Sequence, residues 1–388
     1  MKFKFQPLNN STGRIGNLSG FKRLPNVNFE TPLLLIFTKT GSVPHLTKEV
    51  LKYVTSDRHM LLASLSSTIS MSKSIEALNS TLGKFTSMEE HLQLLSIHDT
   101  AITTTRGHQK LNSVAVWNKL GRHQLTANEF MDVVEILQPD IWVALCDGDT
   151  DINSGKKRLF KAVNRSNALL EECLERYKKS VGLKSTAILG AVQGGYDLSS
   201  REYSINYLKD KPLSGYVIDG LHTNGPDTQS ISIEQIRNIV QHTINLLPND
   251  KPRVSTGCWN PITILNLIEL GVDIFDSTYA YTMTEESKAL TFLCDNDDCK
   301  HTVPFITLLD ERHKDDFTPI CEKCKCLACR SYTKAYIHHL CQTKEMLNLV
   351  LLMIHNMHQY LQFFQDIRNN MRGGAFKEFY KKIQSKFS

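Results

Sequence analysis

Three cysteines in the spacing Cys324-x-Cys326-x-x-Cys329, followed by His355 inside the apolar run 347–361, are the residues of this chain best suited to hold a metal ion. Thiolate sulfur and imidazole nitrogen are donors that zinc prefers, and four of them at about 2.0–2.3 Å close a tetrahedron that leaves no place for water. Such a site does no chemistry of its own. It staples a short knuckle to the helix that carries the fourth ligand. Two other readings of these residues stay open. Cys294-x4-Cys299 with Cys321-x2-Cys324 has the spacing of a four-cysteine ribbon. His355, set among Leu351, Leu352, Ile354 and Met357, also has the surroundings of an ordinary core histidine.

A second set is acidic and amide-bearing. Asp147, Gln193-Gly194-Gly195, Asp219-Gly220 and Asp276 each follow a short β-like run. A carboxylate can move protons or attack an electrophilic carbon. Taken singly, each of these residues reads as a turn or helix cap. Their joint placement carries more, because a barrel brings the C-terminal ends of its strands to one mouth.

The elements that must position these residues follow from periodicity. Strands are predicted at 33–37, 61–65, 94–97, 141–146, 187–192, 216–218, 253–256 and 272–275. Between them, 130–137, 159–177, 233–247 and 264–270 carry apolar residues three and four apart, with Pro248 and Gly271 as breakers. Alternation of this kind predicts an α/β fold, a (β/α)8 TIM barrel with a late zinc-binding insertion and C-terminal helices. The expected organisation is a barrel body over 1–293, the insertion over 294–345, and C-terminal helices over 346–388 that complete the barrel and the zinc site. A long helix is expected over 345–368. The closing segment Phe376-Lys377-x-Phe379-Tyr380-Lys381-Lys382 reads either as a surface for RNA phosphates or as a terminal helix with one apolar face.

Composition narrows the class. The 388 residues are 41% hydrophobic, enough for a substantial core, and the formal charge of +5 does not by itself select a polyanionic partner. No run approaches the roughly 18 uninterrupted apolar residues of a membrane-spanning helix. Met1-Lys2-Phe3-Lys4-Phe5 lacks the apolar core of a signal peptide, so the ten cysteines are expected to be reduced thiols and metal ligands in a cytosolic protein.

The order of motifs resembles the tRNA-guanine (queuine) transglycosylase family almost from end to end. Gly13-Arg14-x-Gly16, Glu30-Thr31-Pro32, Val192-Gln193-Gly194-Gly195, Gly215-Tyr216-x-Ile218-x-Gly220-Leu221, Lys251-Pro252-Arg253 and Gly271-Val272-Asp273-Ile274-Phe275-Asp276 carry the resemblance. Cys324-x-Cys326-x-x-Cys329 with His355-Asn356 completes it. Members exchange a tRNA guanine for a modified base through a covalent ribosyl-carboxylate intermediate. The resemblance places Asp276 at the nucleophile and Asp147, Gln193, Gly220 and Leu221 in the pocket that reads the base. It makes Cys324, Cys326, Cys329 and His355 the ligands of one structural Zn2+ per subunit.

Two departures fall on the chemistry. Catalytic members carry Asp-Ser-Gly-Gly-Phe-Gln where this chain has Ile97-His98-Asp99-Thr100-Ala101-Ile102, so the glycines beneath the base are absent. After Asp276, a Pro-Thr-Arg element is replaced by Ser277-Thr278-Tyr279-Ala280-Tyr281-Thr282, which removes a phosphate-gripping arginine. The resemblance then implies a non-catalytic chain, with Asp276 a vestige, that pairs with a catalytic homologue and holds tRNAs with GUN anticodons. It also implies a cytoplasmic location, with part of the pool peripheral on the mitochondrial outer membrane. One rival keeps Asp276 as an active nucleophile with Asp99 as base. Another has the chain capture queuine or tRNA independently, with Asp147 and Gln193 retained in the mouth.

Overall fold

A computed structural model describes residues 1–7, 13–294 and 303–387. Eight parallel strands close on themselves in chain order: β1 Leu33–Phe37, β2 Met60–Ser64, β3 Leu92–Ser96, β4 Ile141–Val143, β5 Ala187–Val192, β6 Gly215–Ile218, β7 Arg253–Val254 and β8 Ile274–Asp276. Pairing of Ile274 with Leu33 and of Ala187 with Ile141 joins the ends and the middle of the series. These runs are apolar on both faces because the barrel interior covers one side and helices the other. In β1 and β2 all five residues are buried.

All eight predicted strands are present, with shifts at the ends. Val272 is drawn out of β8 because its N–H bonds to the Leu267 carbonyl in the turn closing the preceding helix. The runs 141–146 and 253–256 end early, at Val143 and Val254, where the chain bends into the mouth.

The covering helices are α1 Ala127–Leu137, α2 Lys156–Lys179, α3 Leu198–Lys209, α4 Ile233–Leu246 and α5 Pro261–Leu270. Their ends follow local chemistry. Thr126 and Glu129 form a capping box at α1, Asn260 caps α5, and Gly271 ends α5 with φ of 105°, a conformation suited to glycine. Helix α6, Thr278–Glu285, leaves β8 directly. The segment beyond it contributes α7 Leu327–Ser331, α8 Lys334–Gln342, α9 Met346–Arg372 and α10 Phe376–Phe387. Helix α9 is four residues longer at its C-terminus than expected and packs against α6 and β1, the place a last barrel helix would take. In α10, Phe379 and Ile383 are buried, which favours the apolar-face reading of that segment. No helix among the described residues is long and apolar enough to cross a membrane.

An antiparallel sheet of Lys2–Pro7, Arg14–Ser19 and Phe29–Thr31 closes the end of the barrel opposite the mouth. Its anchor is Arg14, 4% exposed. The guanidinium donates to Asp273 at 2.8 and 2.6 Å and to the Asn249 and Lys251 carbonyls at 2.6 and 2.8 Å, in the segments entering β7 and β8.

Candidate metal centre and barrel mouth

The knuckle is built by α7. Cys326 is its N-cap residue and accepts the Cys329 N–H on Sγ at 3.4 Å, so two sulfurs are fixed by the first helical turn. His355 comes from α9 with no exposed surface. Its Nδ1 lies 3.8, 3.5 and 3.3 Å from the sulfurs of Cys324, Cys326 and Cys329. The four donor atoms all fall within 4.8 Å of one another. A tetrahedral zinc site has edges of about 3.8 Å between sulfurs and about 3.5 Å between sulfur and nitrogen, so this cluster has the size of that polyhedron.

The second ring nitrogen fixes the tautomer. His355 Nε2 sits 2.8 Å from the Leu290 carbonyl oxygen and must donate to it, which leaves the Nδ1 lone pair facing the sulfurs. Gln359, one turn later, donates to Cys324 Sγ at 3.5 Å. Burial opposes charge on the imidazole, while Cys324 and Cys326 favour a proton at Nδ1, the position a bound cation would take instead. Hydrogen bonds from Cys326 and Cys329 hold Cys324 well below the ordinary thiol range. Four donors compete here for protons in a space where a cation would satisfy them all.

The ribbon alternative does not form. Cys324 belongs to the His355 group, Cys321 is joined to Cys294 in a disulfide, and Cys299 lies outside the described residues. The expectation of reduced thiols is corrected at that one pair, whose sequence separation of 27 gave no cue. The other seven described cysteines are free.

At the mouth, Asp276 ends β8 and is 2% exposed. Its Oδ2 accepts the Gly257 N–H at 2.6 Å and its Oδ1 the Thr278 N–H at 2.7 Å. Burial raises its pKa to about 6 in spite of these bonds. The segment after β3 is tied to its neighbours at this end of the barrel. Thr100 Oγ1 meets Thr278 Oγ1 at 2.5 Å, Gly225 N–H bonds to the Thr100 carbonyl at 3.0 Å, Thr104 N–H to the Thr223 carbonyl at 2.7 Å, and Gly107 N–H to Asp149 Oδ2 at 2.7 Å. Residues 100–107 are thus a strap tied to the loops after β4 and β6 and to α6. Gly225, at φ 77°, lets the strap pass, since a Cβ there would stand 2.7 Å from the Thr103 nitrogen.

The other mouth residues turn inward on one another. Asp147, fully buried, receives both Nη groups of Arg158 at 2.9 and 2.6 Å and a further contact from Arg165. Gln193 Nε2 donates to Asp219 Oδ2 at 2.7 Å, and Thr150 Oγ1 donates to the Gly220 carbonyl at 3.1 Å. The Leu221 carbonyl accepts the Tyr196 hydroxyl at 3.0 Å. Gly220 approaches Gln193 closely, a Cβ there standing 2.9 Å from Gln193 Oε1, while Asp147 is engaged by Arg158 and Arg165. Gln193 Oε1 and His98 Nε2 remain buried without a hydrogen-bond partner. Asp99 is 5% exposed, caps the Ala101 N–H at 2.9 Å, and has its pKa raised by burial. It lies on the wall of a cavity of about 700 Å³ lined by Lys39, Ser66, Trp117 and Tyr281, from the segments after β1, β2, β3 and β8.

Arg158, Arg165 and Thr150 are absent from the sequence reading. The first two stand on α2, and the fold turns them toward Asp147.

The model of the queuine tRNA-ribosyltransferase family matches residues 9–388. Curated relatives named queuine tRNA-ribosyltransferase accessory subunit 2 include that of Culex quinquefasciatus, 39% identical over 96% of this chain and 88% of the relative. That of Ixodes scapularis is 38% identical over 94% and 96%, and that of Aedes aegypti 36% over 99% and 92%.

Proposed function

The chain belongs to the queuine tRNA-ribosyltransferase family, and from that premise we propose that it is the non-catalytic subunit of a two-chain enzyme. The complex exchanges guanine for queuine at the wobble position of tRNAs with GUN anticodons, those for aspartate, asparagine, histidine and tyrosine. The catalytic homologue performs the exchange, and this chain supports it and helps hold the tRNA.

The observation that carries this reading is the state of Asp276. Attack on an anomeric carbon needs a carboxylate oxygen that the carbon can approach. Here Asp276 is 2% exposed, each carboxylate oxygen is held by a short backbone N–H bond, and Thr100 of the strap bonds to Thr278 two residues further on. The residues that would read the base are also engaged, Asp147 by two arginines and Gln193 by Asp219. For Asp276 to react with Asp99 as base, the strap would have to leave the loops after β4 and β6 and α6 together.

Cys324, Cys326, Cys329 and His355 suit one zinc ion per chain. Bound there, the ion would supply a closed clamp between the knuckle and α9 and no reacting position. The division into a barrel body over 1–293, an insertion over 294–345 and completing helices over 346–388 fits that clamp, since α9 serves the barrel and the metal group at once.

Reconstitution tests the proposal. A catalytic homologue co-expressed with this chain forms a stable two-chain complex and incorporates labelled base into cognate tRNA, and omission of this chain removes most of the activity. Equal exchange with and without it would overturn the assignment.

A further inference from the structure

Helices α2 and α3 follow β4 and β5, so their first turns stand at the rim of the mouth. Phe160 in α2 and Tyr203 in α3 stack there with centroids 5.5 Å apart and planes 25° from parallel. They remain 50% and 45% exposed. The same outward face of α2 carries Lys157 and Lys161, both exposed, with Lys156 beside them at 3.7 Å from Asp197. Neither Lys157 nor Lys161 makes an ion pair among the described residues. The acidic groups nearby are Glu202, exposed next to Tyr203, and Asp197, occupied in capping α3.

The deeper part of the same seam shows what a satisfied aromatic looks like. The Tyr207 hydroxyl donates to Glu171 at 2.7 Å, and Lys211 lies 4.4 Å over its ring while pairing with the same carboxylate. At the rim, Lys157 and Lys161 are exposed three residues before and one residue after Phe160 on α2. A half-exposed aromatic pair with exposed lysines on the same helix matches an unstacked base followed by its phosphates, because every base has a π-face and a strand carries one negative charge per nucleotide.

We infer that Phe160, Tyr203, Lys157 and Lys161 form a stacking platform for an unpaired nucleotide in a loop or end of tRNA, outside the barrel mouth. This rests on the proposed tRNA-holding role and gives it a surface.

The test uses the assembled two-chain complex and tRNA binding measured by anisotropy over a range of salt concentrations. Phe160→Ala is expected to weaken binding about tenfold, whereas Phe160→Trp retains wild-type affinity. Lys157→Gln with Lys161→Gln should lower the log–log salt slope by about 1.4, from about 0.7 per single-strand phosphate contact. Wild-type affinity and slope in all variants would overturn the inference. Loss of complex mass in the variants would also overturn it, by making the platform a protein contact. Wild-type complex that fails to depend on this chain for exchange would instead remove the functional reading beneath it.

Discussion

Replacing His355 by alanine separates a metal clamp from a buried histidine in a core. Without a metal, His355→Ala leaves the Leu290 carbonyl without its donor, at about 1–3 kcal/mol. The cavity of a truncated buried ring adds about 2–4 kcal/mol, so the substitution is costly under either account. Cys326→Ala discriminates. Among thiols without a metal, removing Cys326 costs about 1–2 kcal/mol, since it deletes one small buried group and one weak sulfur bond to the Cys329 N–H. With a metal, it removes one of four ligands from an ion whose binding in small zinc domains contributes about 10–16 kcal/mol of apparent folding free energy. Cys326→Ala should then be as damaging as His355→Ala.

Unfolding in that case is local. Hydrogen exchange, read by mass spectrometry, should accelerate in α7, in α8 and in the small sheet of Lys288–Leu290 with Phe305–Thr307 before it reaches the barrel strands. Association with the catalytic chain should be lost at the same stage. Chelator treatment of the wild type should reproduce the pattern, and elemental analysis should give one zinc per chain. A Cys326→Ala protein no more than about 2 kcal/mol less stable, with unchanged exchange and no zinc in the wild type, would refute the clamp.

Other consequences concern the barrel. Arg14→Met leaves Asp273 charged and buried against two backbone segments, so a loss of about 3–5 kcal/mol is expected in urea denaturation. Asp276, with its folded pKa raised from 3.8 to about 6, binds more protons when folded than when unfolded. Its contribution is therefore fully present below about pH 4 and lost as pH rises through 6, a swing of about 3 kcal/mol. The stability of Asp276→Asn relative to wild type should rise by about that amount from pH 4 to 7 and then level off. A difference independent of pH would show that Asp276 titrates normally. Titration of queuine into the isolated chain should give flat heats, since Asp147 is already held by two arginines. Saturable heat would show that the inward-turned pocket still opens.

The barrel was legible because its strands are short, apolar on both faces and bounded by turn residues, a pattern that survives without any knowledge of partners. The metal group was legible through cysteine density, and a histidine in an apolar helix became a ligand only beside it. The N-terminal sheet went unread although Lys2-Phe3-Lys4-Phe5-Gln6 alternates with the period of a strand. Contacts across the mouth had no local signature. Thr100 and Thr278 are 178 residues apart, and neither threonine differs in type from those in any solvated loop. Arg158 and Arg165 likewise look like part of a basic helix face until the helix is placed over Asp147. Loss of the glycines after β3 did announce that the floor had changed, but the strap that replaced it required three-dimensional placement.

The most direct measurement is made on this chain alone. Purified and loaded with zinc, it is incubated with cognate tRNA and labelled guanine, then resolved under denaturing conditions for any protein–RNA adduct. The account predicts neither label in the tRNA nor a trapped adduct. Incorporation together with an adduct that disappears in Asp276→Ala would contradict it.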